Sequence, residues 1–290
     1  QWDEPAAGVA PVDAYQVRWS TDSGATWTEV AQGGTSAATT VDGLTNGTAY
    51  VFAVRAHNAV GWGAWSGESD PVTPRTTPGA PTAVVAMRGD GELGVVWTAP
   101  ADTGGAAIVG YQLQRSADGG QSWTVSPTEY PSTSALVTGL TNGTEYIFAV
   151  RARNAAGWGE WSAPSSAVAP LGLPGAPTSV SARSQVGQAV VSWVAPGRTG
   201  GAPIQQYRVR AYYSGGDRDG ELVDGGPQLT LDATTTLTYS LENGSSYTFE
   251  VAAYTAAGWG PWSQVSDPLQ LGREPDAPSD LTATRGDTQV

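Results

Sequence analysis

The chain has no cysteine, no lysine, one histidine and one methionine in 290 residues. Without cysteine, neither a disulfide framework nor a thiolate metal site can form. His57 alone starves zinc coordination and neutral-pH proton shuttling of their usual side chain. It also leaves a Ser/His/Asp constellation without material, and neither paired carboxylates at a plausible cleft nor a phosphate-binding glycine loop recur. An enzyme, a cofactor and a bound metal are therefore not expected. All 14 basic residues are arginine, which rules out lysine isopeptide cross-links and points to a GC-rich genome. The formal net charge of −13 opposes a phosphate backbone, so nucleic acid is not an expected partner. No run of 18 apolar residues is present, so no membrane span is expected. A start at Gln1 without a leader segment suggests a mature or excised fragment. What is abundant is glycine, proline, serine and threonine, with no helical apolar period. That composition predicts an all-β chain.

The sequence repeats. "YVFAVRAHNAVGWGAWS", "YIFAVRARNAAGWGEWS" and "YTFEVAAYTAAGWGPWS" begin at Tyr50, Tyr146 and Tyr247. Tyr15, Tyr111 and Tyr207 stand upstream with a spacing of 96 residues, and Trp2, Trp97 and Trp193 earlier still, each three residues before Pro5, Pro100 or Pro196. Within a copy the apolar period is two. Tyr146, Phe148, Val150 and Ala152 point one way while Ile147, Ala149, Arg151 and Arg153 point the other. In the second copy such segments fall near 82–88, 92–99, 108–116, 123–127, 133–139, 145–154 and 164–169. Seven short strands in one copy predict a β-sandwich. Proline-containing joints at 74–81, 170–177 and 271–278 divide the chain. The expected domains are 1–74, lacking a first strand and half of a second, then 75–170, then 171–272 with a longer middle loop. Residues 273–290 begin a fourth unit. A linear rod of beads is the natural arrangement.

These units resemble the fibronectin type III family. The resemblance rests on the opening "APT", the second-strand Trp followed by Pro, the third-strand Tyr, "LTNGTEY", and the Tyr-x-Phe-x-Val-x-Ala strand with its Gly-rich turn. It covers all three copies and implies tandem seven-stranded immunoglobulin-like sandwiches with a binding or spacer role, seldom catalysis.

Four motifs carry alternatives. "STDSGATW" and "SADGGQSW" are similar to the Asp-box of sialidases, a hairpin turn in which Asp22 or Asp118 accepts turn amides and Gly24 or Gly120 takes positive φ. One Asp cannot supply the clustered oxygens that calcium needs. "GWGAWS", "GWGEWS" and "GWGPWS" are similar to the Trp-Ser-x-Trp-Ser motif of cytokine receptor domains. There, Trp62, Trp65, Trp158, Trp161, Trp259 and Trp262 would interleave with Arg55, Arg151, Arg153, Arg208 and Arg210, with Arg18 and His57 also in reach. The rival reading is an aromatic platform for polysaccharide. Asn46, Asn142 and Asn243 open glycosylation sequons but also Asn-Gly turns feeding a tyrosine corner, and the turn reading prevails. Arg88-Gly89-Asp90 and Arg285-Gly286-Asp287 occupy the turn between the first two strands, a position that does not carry integrin binding over.

The leading expectation is a non-catalytic, extracellular or cell-surface, bacterial spacer, fibre or adhesin stalk. The alternative is the accessory carbohydrate-binding region of a secreted polysaccharide-degrading enzyme. Expected partners are further copies or flanking domains, head to tail. The end "GDTQV" joined to the start "QWDEP" reads like the second copy's "GELGVVWTAP". Gly286, Val290, Trp2 and Pro5 would then complete the first sandwich between copies.

Overall fold

The computed structural model describes residues 1–6, 8, 10–30, 33–185, 188–223, 228–229, 236–272 and 279–283. Apart from a 3-10 turn at Gly216–Arg218, the regular structure among them is strand. The chain divides into two compact units. One holds Gln1–Met87, Gly94–Leu136 and Tyr146–Val168, and the other Arg88–Leu93, Val137–Glu145 and Ala169–Val290.

In the first unit, β1 (Val12–Ser20), β2 (Thr28–Val30), β3 (Val51–Asn58) and β4 (Gly61–Trp62) form a sheet ordered β2-β1-β3-β4. Alternation makes it one-sided: Tyr15 and Val17 are buried, while Gln16 and Arg18 face outward. The second copy contributes β5 (Thr82–Arg88), β6 (Glu92–Thr98), β7 (Gly110–Ser116), β8 (Thr124–Tyr130), β9 (Ser134–Thr138), β10 (Ile147–Asn154) and β11 (Gly157–Trp158). These pair as β5-β6-β9 and β11-β10-β7-β8. Val95, Leu113, Phe148 and Val150 are buried between the two sheets. Trp97 meets Tyr111 edge-on at 5.4 Å, as Trp2 meets Tyr15 at 5.2 Å.

The first copy differs in what covers its inner face. Trp2 N donates to Ala37 O at 3.0 Å, where Trp97 N donates to Thr133 O at 3.1 Å. Beyond that bond, no second sheet forms among the described residues of this copy. A cavity of about 440 Å³ lined by Trp2, Val17, Leu44, Phe52, Val54 and Val72 lies there instead. Trp2 and Pro5 are described, whereas Gly286 and Val290, expected to complete this sandwich, lie outside the described residues.

The second unit carries β12 (Thr178–Gln185), β13 (Gln188–Val194), β14 (Gln206–Tyr213), β15 (Gln228–Leu229), β16 (Thr236–Ser240), β17 (Ser246–Thr255), β18 (Gly258–Trp259) and β19 (Leu269–Gln270). They pair as β12-β13-β16 and β15-β14-β17-β18, with β19 on β17. Ala189, Val191, Trp193, Tyr207, Val209, Tyr239, Tyr247, Phe249 and Val251 form its core. Asp280 has φ 59, the left-handed backbone that Ala83 (φ 51) and Ser179 (φ 52) adopt two residues after the opening proline of their copies. The described start of the fourth unit thus bends as its predecessors do.

The segment expected as a seventh strand over 164–169 pairs as β-structure only through the bridge Tyr146↔Val168. Its other contacts use serine. Ser162 N donates to Val150 O at 2.8 Å and its hydroxyl accepts Val150 N at 3.0 Å; Ser165 does the same with Phe148, at 2.8 and 3.1 Å. Each hydroxyl then donates to the next carbonyl, Ala163 O or Ser166 O. Ser66/Ser69 and Ser263/Ser266 repeat these bonds on Val54/Phe52 and Val251/Phe249. One serine therefore does for its strand partner what two ladder bonds would do.

Ser162→Ala strands a buried amide, and so does Ser165→Ala. Each is expected to destabilise the protein by about 1–3 kcal/mol in denaturant unfolding. Ser66→Ala, at an exposed bond, is expected to cost less. An unchanged midpoint for Ser162→Ala would show that the hydroxyl is not what satisfies Val150.

Candidate functional site

The tryptophans and arginines of the three copies meet on the outer face of β1/β3, β7/β10 and β14/β17. In the first copy Arg55 lies between Trp62 (5.0 Å to the ring centroid) and Trp65 (4.4 Å), and Arg18 between Trp65 (4.2 Å) and Trp27 (4.1 Å). In the second, Arg151 lies between Trp158 (5.0 Å) and Trp161 (4.6 Å), with Arg153 at 5.2 Å from Trp158. In the third, Arg208 is 4.4 Å from both Trp259 and Trp262, and Arg210 is 4.0 Å from Trp262. His57 and Tyr254 take the outermost place against Trp62 and Trp259, at 4.7 and 5.0 Å. His57 Nδ1 also stands 2.6 Å from Asp13 Oδ1. Trp65, Trp158 and Trp262 therefore each have two guanidiniums within 5.2 Å of the ring centroid.

Strand register explains how the cation changes strands without leaving its rung. Gln16 pairs with Arg55 and Gln112 with Arg151, and the third copy has Arg208 opposite Ala252 at that level. The guanidinium enters from one strand or the other, and the neighbour position is small or polar. Each copy also carries an acceptor. Gln16 Oε1 takes Arg55 Nε and Nη2 at 2.8 and 2.6 Å, and Gln112 Oε1 takes Arg151 at 3.0 and 2.6 Å. In the third copy Glu250 Oε2 takes Arg210 Nε at 2.7 Å and Nη2 at 2.6 Å. Burial, then repulsion from Arg210, pushes Arg208 below its ordinary pKa. Sequence reading named the cations but missed Gln16, Gln112 and the serines. The recurring Trp-Ser-x-x-Ser was a signal for the serines, whereas the acceptors need the register.

The two "SxDxGx(T/S)W" turns are closed by their own side chains. Asp22 accepts from the Ser20 hydroxyl (2.6 Å), Thr26 N (2.8 Å) and the Thr26 hydroxyl (2.6 Å), while Ser20 Oγ accepts Gly24 N at 3.0 Å. Asp118 is held alike by Ser116 and Ser122. These bonds, led by the Ser20 hydroxyl, lower the Asp22 pKa to about 2, and Asp118 is lowered likewise. Gly24 and Gly120 have φ of 82 and 95. Their oxygens face inward to the turn, and no metal-holding cluster occurs among the described residues.

A model of the fibronectin type III domain matches residues 1–72, 79–168 and 175–268. The chain belongs to the fibronectin type III family. It is 32% identical to human Myomesin-2 over 81% of its own length and 16% of that protein. It is 37% identical to Endoglucanase B of Cellulomonas fimi over 53% of its length and 15% of that protein. With Exoglucanase B of the same species it shares 30% identity over 87% of its length and 24% of that protein. It thus spans under a quarter of the length of these relatives.

The Asn-Gly turns of the fibronectin type III units precede their tyrosine corners. Thr45 N donates to the Tyr50 hydroxyl at 2.9 Å, and the Tyr247 hydroxyl donates to Glu242 O at 3.2 Å. Asn142 is engaged through both ends of its amide: Oδ1 accepts Gly91 N (2.8 Å), and Nδ2 donates to Asp90 Oδ1 (2.7 Å). Asp90, the acid of the first Arg-Gly-Asp, also receives Arg198 Nη2 at 2.9 and 3.1 Å. The second tripeptide, at 285–287, lies outside the described residues.

Two outcomes follow from this geometry. Arg151→Ala with Arg153→Ala is expected to destabilise the protein by about 1 kcal/mol or more, through lost stacking and lost alkyl cover. In the third unit, Arg208→Gln is expected to cost a similar amount, and adding Ala252→Arg, which recreates the Gln112–Arg151 pair, to recover most of it. Absence of recovery in that double-mutant cycle would show that the rung is not interchangeable between strands. As for pH, Asp22 has a depressed folded pKa. Its contribution is complete above the ordinary value of 3.8 and is lost as pH falls through about 2. Denaturant midpoints should fall over that window and fall less for Asp22→Asn combined with Asp118→Asn.

Proposed function

We propose that this chain is a non-catalytic spacer: part of a tandem array of fibronectin type III sandwiches, joined head to tail, in an extracellular bacterial protein. The observation that carries this reading is the occupation of the indole faces. A sugar ring stacks on a free aromatic face, and in each copy every ring of the pair has at least one guanidinium against it, with two against Trp65, Trp158 and Trp262. The rings then serve the sandwich rather than a ligand. The relatives support the same reading from another side. Human Myomesin-2 and two glucanases contain similar segments, which supports a shared part independent of what each whole protein does.

The carbohydrate-binding alternative retains one motivation, the two glucanase names among the relatives. It is tested by incubating the full chain with insoluble cellulose, chitin and xylan. The spacer reading expects no retention. Retention on any of these that Trp158→Ala abolishes, in protein still folded by circular dichroism, would overturn it in favour of the accessory role.

A further inference from the structure

Two turns recur in contact. In the first compact unit, Asn46-Gly47 of the first sandwich meets Thr103-Gly104-Gly105 of the second. In the second compact unit, Asn142-Gly143 meets Thr199-Gly200-Gly201. Both approaches are closed to any side chain. A Cβ on Gly105 would overlap Gly47 N and the Asn46 carbonyl carbon, and one on Gly201 would overlap Gly143 N and the Asn142 carbonyl carbon. The φ values of 80 and 91 at Gly105 and Gly201 independently favour glycine. Backbone bonds flank each contact in the same way. Thr76 N and Gly79 N donate to Gly104 O and Asp102 O, both at 2.9 Å. Gly172 N and Gly175 N donate to Gly200 O and Arg198 O, at 2.9 and 2.8 Å.

The two contacts differ in charge. Where the second has Arg198, the first has Asp102. Arg198 reaches both oxygens of Asp90, which Asn142 holds from the other side. A Cβ on Gly172 would overlap the Asp90 carboxylate, and Leu171 N donates to Gly89 O at 3.0 Å. The Arg-Gly-Asp turn and the Asn-Gly-Thr turn of the second sandwich thus converge on one spot.

We propose that Arg88-Gly89-Asp90 and Asn142-Gly143-Thr144 together form a docking surface for the Arg198–Gly201 turn of the third sandwich, with Asp90–Arg198 as an ionic latch over a glycine-to-glycine contact. The partner this surface takes is a Gly-Gly turn preceded by a cation. A glycan on Asn142, or an integrin on Asp90, would have to displace it. The docking stands on its own geometry and does not depend on the spacer reading.

Amide hydrogen exchange in the full chain tests the docking at Leu171, whose N–H bonds across it to Gly89 O, and at Gly172 and Gly175, whose N–H groups hold the docked turn at Gly200 O and Arg198 O. Val191, Val209 and Val251 serve as core references. Gly201→Ala is expected to speed exchange at the three docking amides more than tenfold while the core amides keep their rates. Asp90 and Arg198 are both largely exposed, with 57% and 63% of their side chains accessible, so their pair acts modestly. Arg198→Ala should speed the same amides about two- to fivefold, and Arg198→Glu, which faces Asp90 with like charge, by more. Asp90→Asn added to Arg198→Ala should bring no further increase. If Gly201→Ala also releases the core amides, Arg198→Glu decides, since an exposed substitution spares the core. Wild-type rates at Leu171, Gly172 and Gly175 in both Gly201→Ala and Arg198→Glu would overturn the docking. Additive effects of the Asp90 and Arg198 changes would overturn the latch.

Discussion

Taking a guanidinium partly out of water is tolerable only where something replaces its hydration. In each sandwich the replacement is an indole on either side of one cation; in the first two a glutamine of the facing strand adds an acceptor to that same cation, and in the third Glu250 serves the neighbouring Arg210. The dimensions leave little choice. Two tryptophans three residues apart in an extended segment stand about 9 Å apart, which admits one guanidinium at stacking distance from both. Cations on one face of a strand recur about every 6.8 Å, so an indole fits between neighbours such as Arg151 and Arg153. The ladder and the register of the strand pair beneath it therefore fix one another. A slip of one residue would turn every arginine into the core.

The serine segment follows from the same constraint. A stretch whose tryptophans must fall every three residues cannot also present ladder groups every two. Most of its strand pairing is therefore lost, and the amides of Phe148 and Val150, which lie in the core, would be left without acceptors. Buried amides without partners are costly, and a hydroxyl on the segment's own residues removes the conflict. Ser162 and Ser165 each supply a donor and an acceptor to one strand residue. The tryptophans and the serines are two parts of one solution, which is why the sequence carries them as Trp-Ser-x-x-Ser in all three copies.

Much of this was legible beforehand, and the limits are physical. Period-two alternation and the 96-residue repeat carried the sandwiches, because side-chain alternation is a local property. The aromatic and cationic residues of the ladder could be named for the same reason, since outward positions on a strand are known once its phase is known. What could not be read was anything that depends on which residue faces which. Gln16 against Arg55 and Arg210 against Glu250 are register facts. So is the role of Ala252, whose small side chain leaves the rung to Arg208. The meeting of Asp90, Asn142 and Arg198 joins residues 108 positions apart, and no local signal marks it. Ser-Ala-Val-Ala looks like a full seventh strand until the spacing of the tryptophans before it is counted, and what the structure keeps of it is the bridge between Tyr146 and Val168.

A chain of repeated sandwiches carries a hazard of its own, because every copy offers edges that fit its neighbours' edges. In the second copy β8 lies at the edge of its sheet, and it holds Pro127, which cannot donate to an incoming strand. Its pairing with β7 is also interrupted, the register shifting between Gln112 and Gln114. At the opposite edge, β11 is only two residues long, too short to template another strand. The net charge of −13 adds repulsion between whole molecules. The indole ladder works in the same direction. By setting arginine of the same sandwich against all six indoles, it reduces the sticky surface that their size would otherwise make.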